Sequence, residues 1–206
     1  GEAITLGVSA NHEAALAWQT AGSYDFYIVE RDGIAIARTT EKAYVDHTSI
    51  GDVSYQVRGC YADSDSYGLS NAAAVTILPG TAMVCALDSG AWLRLPLSET
   101  MLRTSRVSRT AAIQAVHLSG LDYPVAERTE FRDLSLEISC AFLRKDRASA
   151  LALEAMLGRI VCAKTKHGDM SVGYITSLEK NADEIMTRYS FEVTNIYRRE
   201  EISLDP

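Results

Sequence analysis

The sequence predicts a mainly β protein, and three observations predict it. Apolar residues recur at every second position in short runs bounded by Gly, Asp, Ser and Asn, which is the pattern of half-buried strands. Only the stretch Asp146 to Gly158 carries apolar residues at helical spacing. The strongest local break is Ile77-Leu78-Pro79-Gly80-Thr81, where Pro is followed by Gly, and it sets a first domain at 1–78 apart from a second at 83–206. Hydrophobic residues make up 47% and charged residues 23%, an ordinary globular composition. No apolar run approaches the roughly 20 residues of a membrane helix.

In the first domain, Ile4 and Leu6 alternate in one strand and Leu16 and Trp18 in the next. Tyr24, Phe26, Ile28 and Glu30 alternate in a third, which ends at the turn Asp32-Gly33. Ile34 and Ile36 continue as its hairpin partner, Tyr44 and Val45 form a short strand, and Val53, Tyr55 and Val57 alternate in the one after. Ala62 to Gly68, rich in Ser and Asp, reads as a solvated loop, and a last strand runs from about Leu69 to Ile77. Several of these features together resemble a fibronectin type III domain over residues 3–77. They are the Trp in the second strand, the Tyr-rich third strand leading to Arg31-Asp32-Gly33, then Tyr44-Val45-Asp46, Asp52-Val53-Ser54-Tyr55-Gln56-Val57 and Gly68-Leu69-Ser70-Asn71. The resemblance implies a β-sandwich with Trp18 between the sheets and Tyr55 at a tyrosine corner, its hydroxyl bonded to backbone near the preceding turn. It implies no particular function, because such sandwiches serve as spacers, adhesins and binding modules alike.

The second domain reads as α+β, an antiparallel sandwich or barrel-like unit with one short helix. Met83 to Leu87, Trp92 to Leu95 and Ile113 to Leu118 have strand patterns. Between them, Ser98 to Thr110 is polar, carries Arg103, Arg106 and Arg109 at intervals of three, and reads as a loop. The clearest strand follows, with Leu134, Leu136, Ile138, Cys140 and Phe142 on one face and Ser135, Glu137, Ser139 and Ala141 on a face that is wet or at an interface. Asp146 is a plausible N-cap and Gly158 a terminator for the helix, expected at 146–158. Ile160 to Lys164, Met170 to Leu178 and Thr187 to Tyr197 return to strand pattern, the last with Tyr189, Phe191 and Val193 on one side. The turn Val116-x-Leu118-x-Gly120-x-x-Tyr123-Pro124-Val125, a long alternating strand, a short helix and the closing strands together resemble a tail-tube-type domain of long-tailed bacteriophages, over roughly residues 83–198.

Net charge is −7 and unevenly placed. Residues 1–80 hold four basic side chains, Arg31, Arg38, Lys42 and Arg58, against ten acidic ones, whereas residues 81–206 hold sixteen against seventeen. An acidic first domain repels phosphate backbones and anionic lipid, and in the second domain neighbouring acids nearly cancel the arginines, so neither DNA nor membrane binding is expected. Cys60, Cys85, Cys140 and Cys162 form no CxxC pair and sit among apolar residues, the pattern of reduced buried thiols in a reducing compartment. Gly1 reads as a processing or cloning scar, and the first residues carry no signal-peptide pattern.

Catalytic and metal motifs are missing from the sequence. His12-Glu13-Ala14-Ala15-Leu16 opens like a zinc-protease motif but has Leu where the second ligand belongs. Asp63-Ser64-Asp65-Ser66-Tyr67-Gly68 opens like a calcium loop, yet Tyr67 and Ala74 occupy ligand positions five and twelve. The expectation is therefore a non-enzyme with no cofactor and no metal. The two resemblances together imply a structural subunit of a phage tail or tail tip, a distal or minor tail protein assembled in the host cytoplasm and located in the virion. In that reading the second domain forms a ring, trimeric or hexameric, with itself and other tail proteins. Arg103, Arg106 and Arg109 then line a subunit interface, and the first domain projects outward. The alternative is an adhesion or carbohydrate-binding module, with Asp63, Asp65 and Tyr67 on an exposed binding loop and Tyr24, Tyr27 and Tyr61 as further stacking surface.

Overall fold

The computed structural model describes residues 3–96, 105–116 and 125–196. Apart from the short turn Lys166–Gly168, the described residues divide between Gly80 and Thr81 into two compact units. The protein is mainly β: the described residues form three antiparallel sheets and one short α-helix.

The first unit contains β1 (Ile4–Ala10), β2 (Ala14–Thr20), β3 (Phe26–Arg31), β4 (Ile34–Thr39), β5 (Ala43–Asp46), β6 (Gly51–Tyr61), β7 (Ser64–Leu69) and β8 (Ala73–Ile77). One sheet runs β1-β2-β5 and the other β4-β3-β6-β7, with β8 paired to the first half of β6. Leu6, Leu16 and Trp18 from the first sheet meet Tyr27, Val29 and Val57 from the second in a common core, so the unit is a β-sandwich. Trp18 lies between the sheets as expected, its ring edge-on to Tyr27 with centroids 5.3 Å apart. The β3–β4 hairpin closes through Asp32 and Gly33, both at positive φ (51° and 81°), the backbone that a two-residue turn demands.

Three expectations change here. The alternation Phe26, Ile28, Glu30 marks the outer face of β3, while Tyr27 and Val29 fill the core. The expected loop at Ala62 to Gly68 is a hairpin: β6 extends to Tyr61, and β7 returns with Tyr67 opposite Cys60 and Gly68 opposite Gly59. The single last strand is two short ones, β7 and β8, each borrowing a different half of β6. Gly59, on the core side of β6, leaves room for Tyr24: a Cβ there would stand 2.6 Å from Tyr24 Cγ and 2.9 Å from Ile4 Cδ1. Gly59→Ala should therefore overpack the core at a cost of about 1–3 kcal/mol, read as a lower urea midpoint at unchanged m-value.

The second unit contains β9 (Met83–Ala86), β10 (Trp92–Arg94), β11 (Ser105–Val116), β12 (Val125–Leu143), α1 (Arg147–Glu154), β13 (Ile160–Lys164), β14 (Met170–Ala182) and β15 (Met186–Asn195). They form one sheet in the order β10-β9-β13-β14-β15-β12-β11. Its ends are drawn together: beyond β10, Pro96 O accepts a hydrogen bond from Ala141 N on β12 at 2.9 Å, which gives the sheet a barrel-like curl. Leu136, Ile138, Cys140 and Phe142 turn inward as their alternation predicts, and meet Val84, Val161, Ile175, Tyr189, Phe191 and Val193. The helix anchors on this core through Ala150 and the fully buried Leu153. It is shorter than expected: a 3-10 turn, Arg144–Asp146, precedes α1, and Asp146 stands at the N-cap without a capping side-chain bond. Gly158 follows at φ 75°.

The expected polar loop Ser98 to Thr110 is in part a strand, because Ser105 onward pairs with β12 from Ile138 down. Pairing with a strongly alternating neighbour outweighs the polar composition of this segment. Most of the turn between Val116 and Val125 lies outside the described residues.

Candidate recognition groove

The outer face of the β4-β3-β6-β7 sheet carries the most elaborated surface of the first unit. Ile28 on β3 lies between Arg38 on β4 and Arg58 on β6 in the register, and Phe26 lies opposite Cys60, which in turn lies opposite Tyr67 on β7. Strand alternation therefore gathers residues 26, 28, 38, 58, 60 and 67 on one side. Together with the β6–β7 turn they line a groove of 620 Å³, within the range of small-ligand sites.

Its floor is Ile28, only 5% exposed although it faces outward. Long arginine stems cover apolar surface in this way while their heads stay wet. Arg38 lays its guanidinium 3.9 Å from the centroid of Phe26, and Arg58 lies 4.9 Å from that of Tyr67. Such cation–π contacts hold a guanidinium over the face of a ring. Arg58 also donates to Glu30 Oε1, whereas Arg38 makes no ion pair among the described residues. Asp63 and Asp65 sit exposed on the hairpin, and the Tyr67 ring is 53% exposed. Burial holds the Cys60 thiol above its ordinary pKa even though Arg58 and Arg38 pull it down, so at neutral pH it is a thiol and not a nucleophilic thiolate.

The expected binding residues Asp63, Asp65 and Tyr67 thus come together at the rim of one groove. Sequence reading missed Arg38, Arg58, Phe26 and Glu30. A signal was present: Arg38 and Arg58 are two of only four basic residues in an acidic segment. Tyr24 and Tyr27, expected as stacking surface, are core residues, and Tyr61 packs on Tyr24 with centroids 5.1 Å apart.

No protein-family model matches the chain, and no curated protein matches it either.

Tyr55 departs from the tyrosine-corner expectation. Its hydroxyl donates to the Asp46 carboxylate, Oδ2 at 2.8 Å, and not to backbone. Of the expected interface arginines, Arg103 lies outside the described residues, while Arg106 and Arg109 belong to β11, opposite Glu137 and Leu134 in the register. In the second unit the polar side of the sheet holds a hollow of 360 Å³ lined by serines with Glu137, Glu179 and Glu192. Among the described residues no group of three or more His, Cys, Asp or Glu side chains is placed to hold a metal ion, and no helix is long and apolar enough to cross a membrane.

Proposed function

We propose that the chain is a structural subunit of a long-tailed bacteriophage tail or tail tip, its second unit joining copies of itself in a ring and its first unit presenting a recognition surface. The observation that carries this reading is the β11–β12 arm. β12 runs for 19 residues, but β15 covers only Ser135 to Leu143. Among the described residues, Val125 to Arg128 and Arg132 to Leu134 pair with β11 only, with a register break between them, as a two-stranded ribbon beyond the sheet. Ribbons of two strands are marginal in water and present unpaired edges, so natural proteins cover them. A neighbouring copy is the simplest cover, and repetition of one such contact around an axis closes a ring.

Light scattering on the full chain across a concentration series should give a mass of three or six chains, with rings in negative-stain images. Replacing residues 112–131 by a short turn should return it to a monomer. A monomer at every concentration, with no symmetric particles, overturns the reading.

The groove favours a second task for the same protein, non-catalytic binding of a surface saccharide. Flat aromatic and guanidinium faces beside exposed carboxylates are the chemistry that stacks on sugar rings and accepts hydrogen bonds from their hydroxyls.

A further inference from the structure

We infer that the groove on the first unit is selective for an acidic saccharide, one bearing isolated carboxylates, and that Arg38 is the residue that reads the carboxylate. This rests on the saccharide-binding reading above and narrows it to a class of ligand.

The two arginines of the groove are not equivalent. Arg58 is neutralised by Glu30. Arg38 is stacked on Phe26, exposed, and engaged by no carboxylate among the described residues. A guanidinium held over a ring by a cation–π contact keeps its fork of N–H donors for a carboxylate, which it can meet at two points. Charge then limits the ligand from the other side. Residues 1–80 carry four basic against ten acidic side chains, and Asp63 and Asp65 stand on the same rim. A polyanion such as nucleic acid or a heavily sulfated chain meets strong net repulsion here, whereas a ligand with one negative group among many hydroxyls meets far less, which one charge-assisted pair with Arg38 can outweigh. The remaining parts match the remaining chemistry of such a ligand. The half-exposed Tyr67 ring offers an apolar face to a sugar ring, and the Asp63 and Asp65 carboxylates accept hydrogen bonds from hydroxyls.

The test uses the full chain, labelled for heteronuclear NMR, and a panel of uronate- and sialate-bearing oligosaccharides, each beside its carboxyl-reduced counterpart. Acidic members should shift resonances of residues 26–38 and 58–67 and bind at least about tenfold more tightly than their reduced forms, as a charge-assisted bidentate pair requires. Arg38→Gln should remove that tenfold preference, so that each acidic member and its reduced counterpart bind alike. Tyr67→Ala should weaken both forms together. Equal binding of acidic and reduced forms, or a preference that survives Arg38→Gln, overturns the assignment while leaving the saccharide-binding reading intact. No shift with any member at millimolar concentration overturns both.

Discussion

Asp46→Ala should destabilise the first unit by about 3–5 kcal/mol, the penalty for leaving one half of a buried ion pair behind. Asp46 is 1% exposed at the end of β5. Its Oδ2 accepts from Arg31 Nη1 at 2.7 Å and from the Tyr55 hydroxyl at 2.8 Å, and its Oδ1 accepts from Thr48 N at 2.8 Å and Thr48 Oγ1 at 2.9 Å. Arg31 belongs to β3 and Tyr55 to β6, so one carboxylate on the first sheet clamps two strands of the second. Alanine would take the counter-charge from Arg31, which keeps its hydrogen bonds to Thr48, and would leave the buried Tyr55 hydroxyl without its acceptor, at a desolvation cost. Tyr55→Phe, which removes one donor and leaves the ion pair, should cost only about 1–3 kcal/mol. Urea unfolding followed by Trp18 fluorescence in a Trp92→Phe background isolates this unit. An Asp46→Ala protein as stable as its parent at neutral pH would show that the clamp contributes nothing.

The same site predicts acid sensitivity. Desolvation by burial raises the Asp46 pKa, but the Arg31 charge and the hydrogen bonds from Tyr55, Thr48 and Arg31 outweigh it, and the folded-state value lies below the usual carboxylate range. Burial first, and then the Asp46 charge, push the Tyr55 phenol upward, so Tyr55 remains a donor. A depressed folded-state pKa stabilises fully above the unfolded value, about 3.9, and loses that contribution as pH falls through the folded value. The gap in stability between parent and Asp46→Ala should therefore be constant from neutral pH down to about 5 and narrow below about 4.

How far the fold was legible follows from how one-sided each strand is. β12 has an apolar face and a polar face, and its phase reads directly from Leu136 to Phe142. β3 buries Tyr27, Ile28 and Val29 in succession, Ile28 under arginine stems, so its apolar letters fit both phases. β7 and the start of β11 are polar and owe their strand state to a partner, β6 in one case and β12 in the other, which composition does not report. The groove was half legible. Asp63, Asp65 and Tyr67 stand close in sequence, but Arg38 and Arg58 are twenty positions apart and meet only because β3 lies between β4 and β6. The Asp46 clamp was hidden for the same reason: its partners at 31, 48 and 55 are ordinary residues until two sheets close over them.

Gly173→Ala should collapse the second unit, with a loss of at least about 3 kcal/mol, at or beyond the usual cost of overpacking. Gly173 lies in β14 opposite Val161 on β13 and Asn195 on β15. A Cβ built on it would stand 1.7 Å from Thr194 O, 2.7 Å from Thr194 C and 3.1 Å from Asn195 Cα. All three are backbone atoms, so no rotamer change relieves the overlap, and β15 must move away from β14. These two strands are the fourth and fifth of seven in the sheet, and β15 delivers Tyr189, Phe191 and Val193 to the core. Displacing it strains the core at the point where both halves of the sheet join, unlike a clash at an edge strand that can fray alone. Gly80→Ala is the matched control, since a Cβ there meets nothing within 4 Å. Thermal unfolding of the two variants in parallel should leave Gly80→Ala at the parent melting temperature and move Gly173→Ala far below it, or leave it insoluble. A Gly173→Ala protein melting with its parent would mean that β15 can part from β14 by a methyl's width without loss, and that the close approach is incidental to the stability of the sheet.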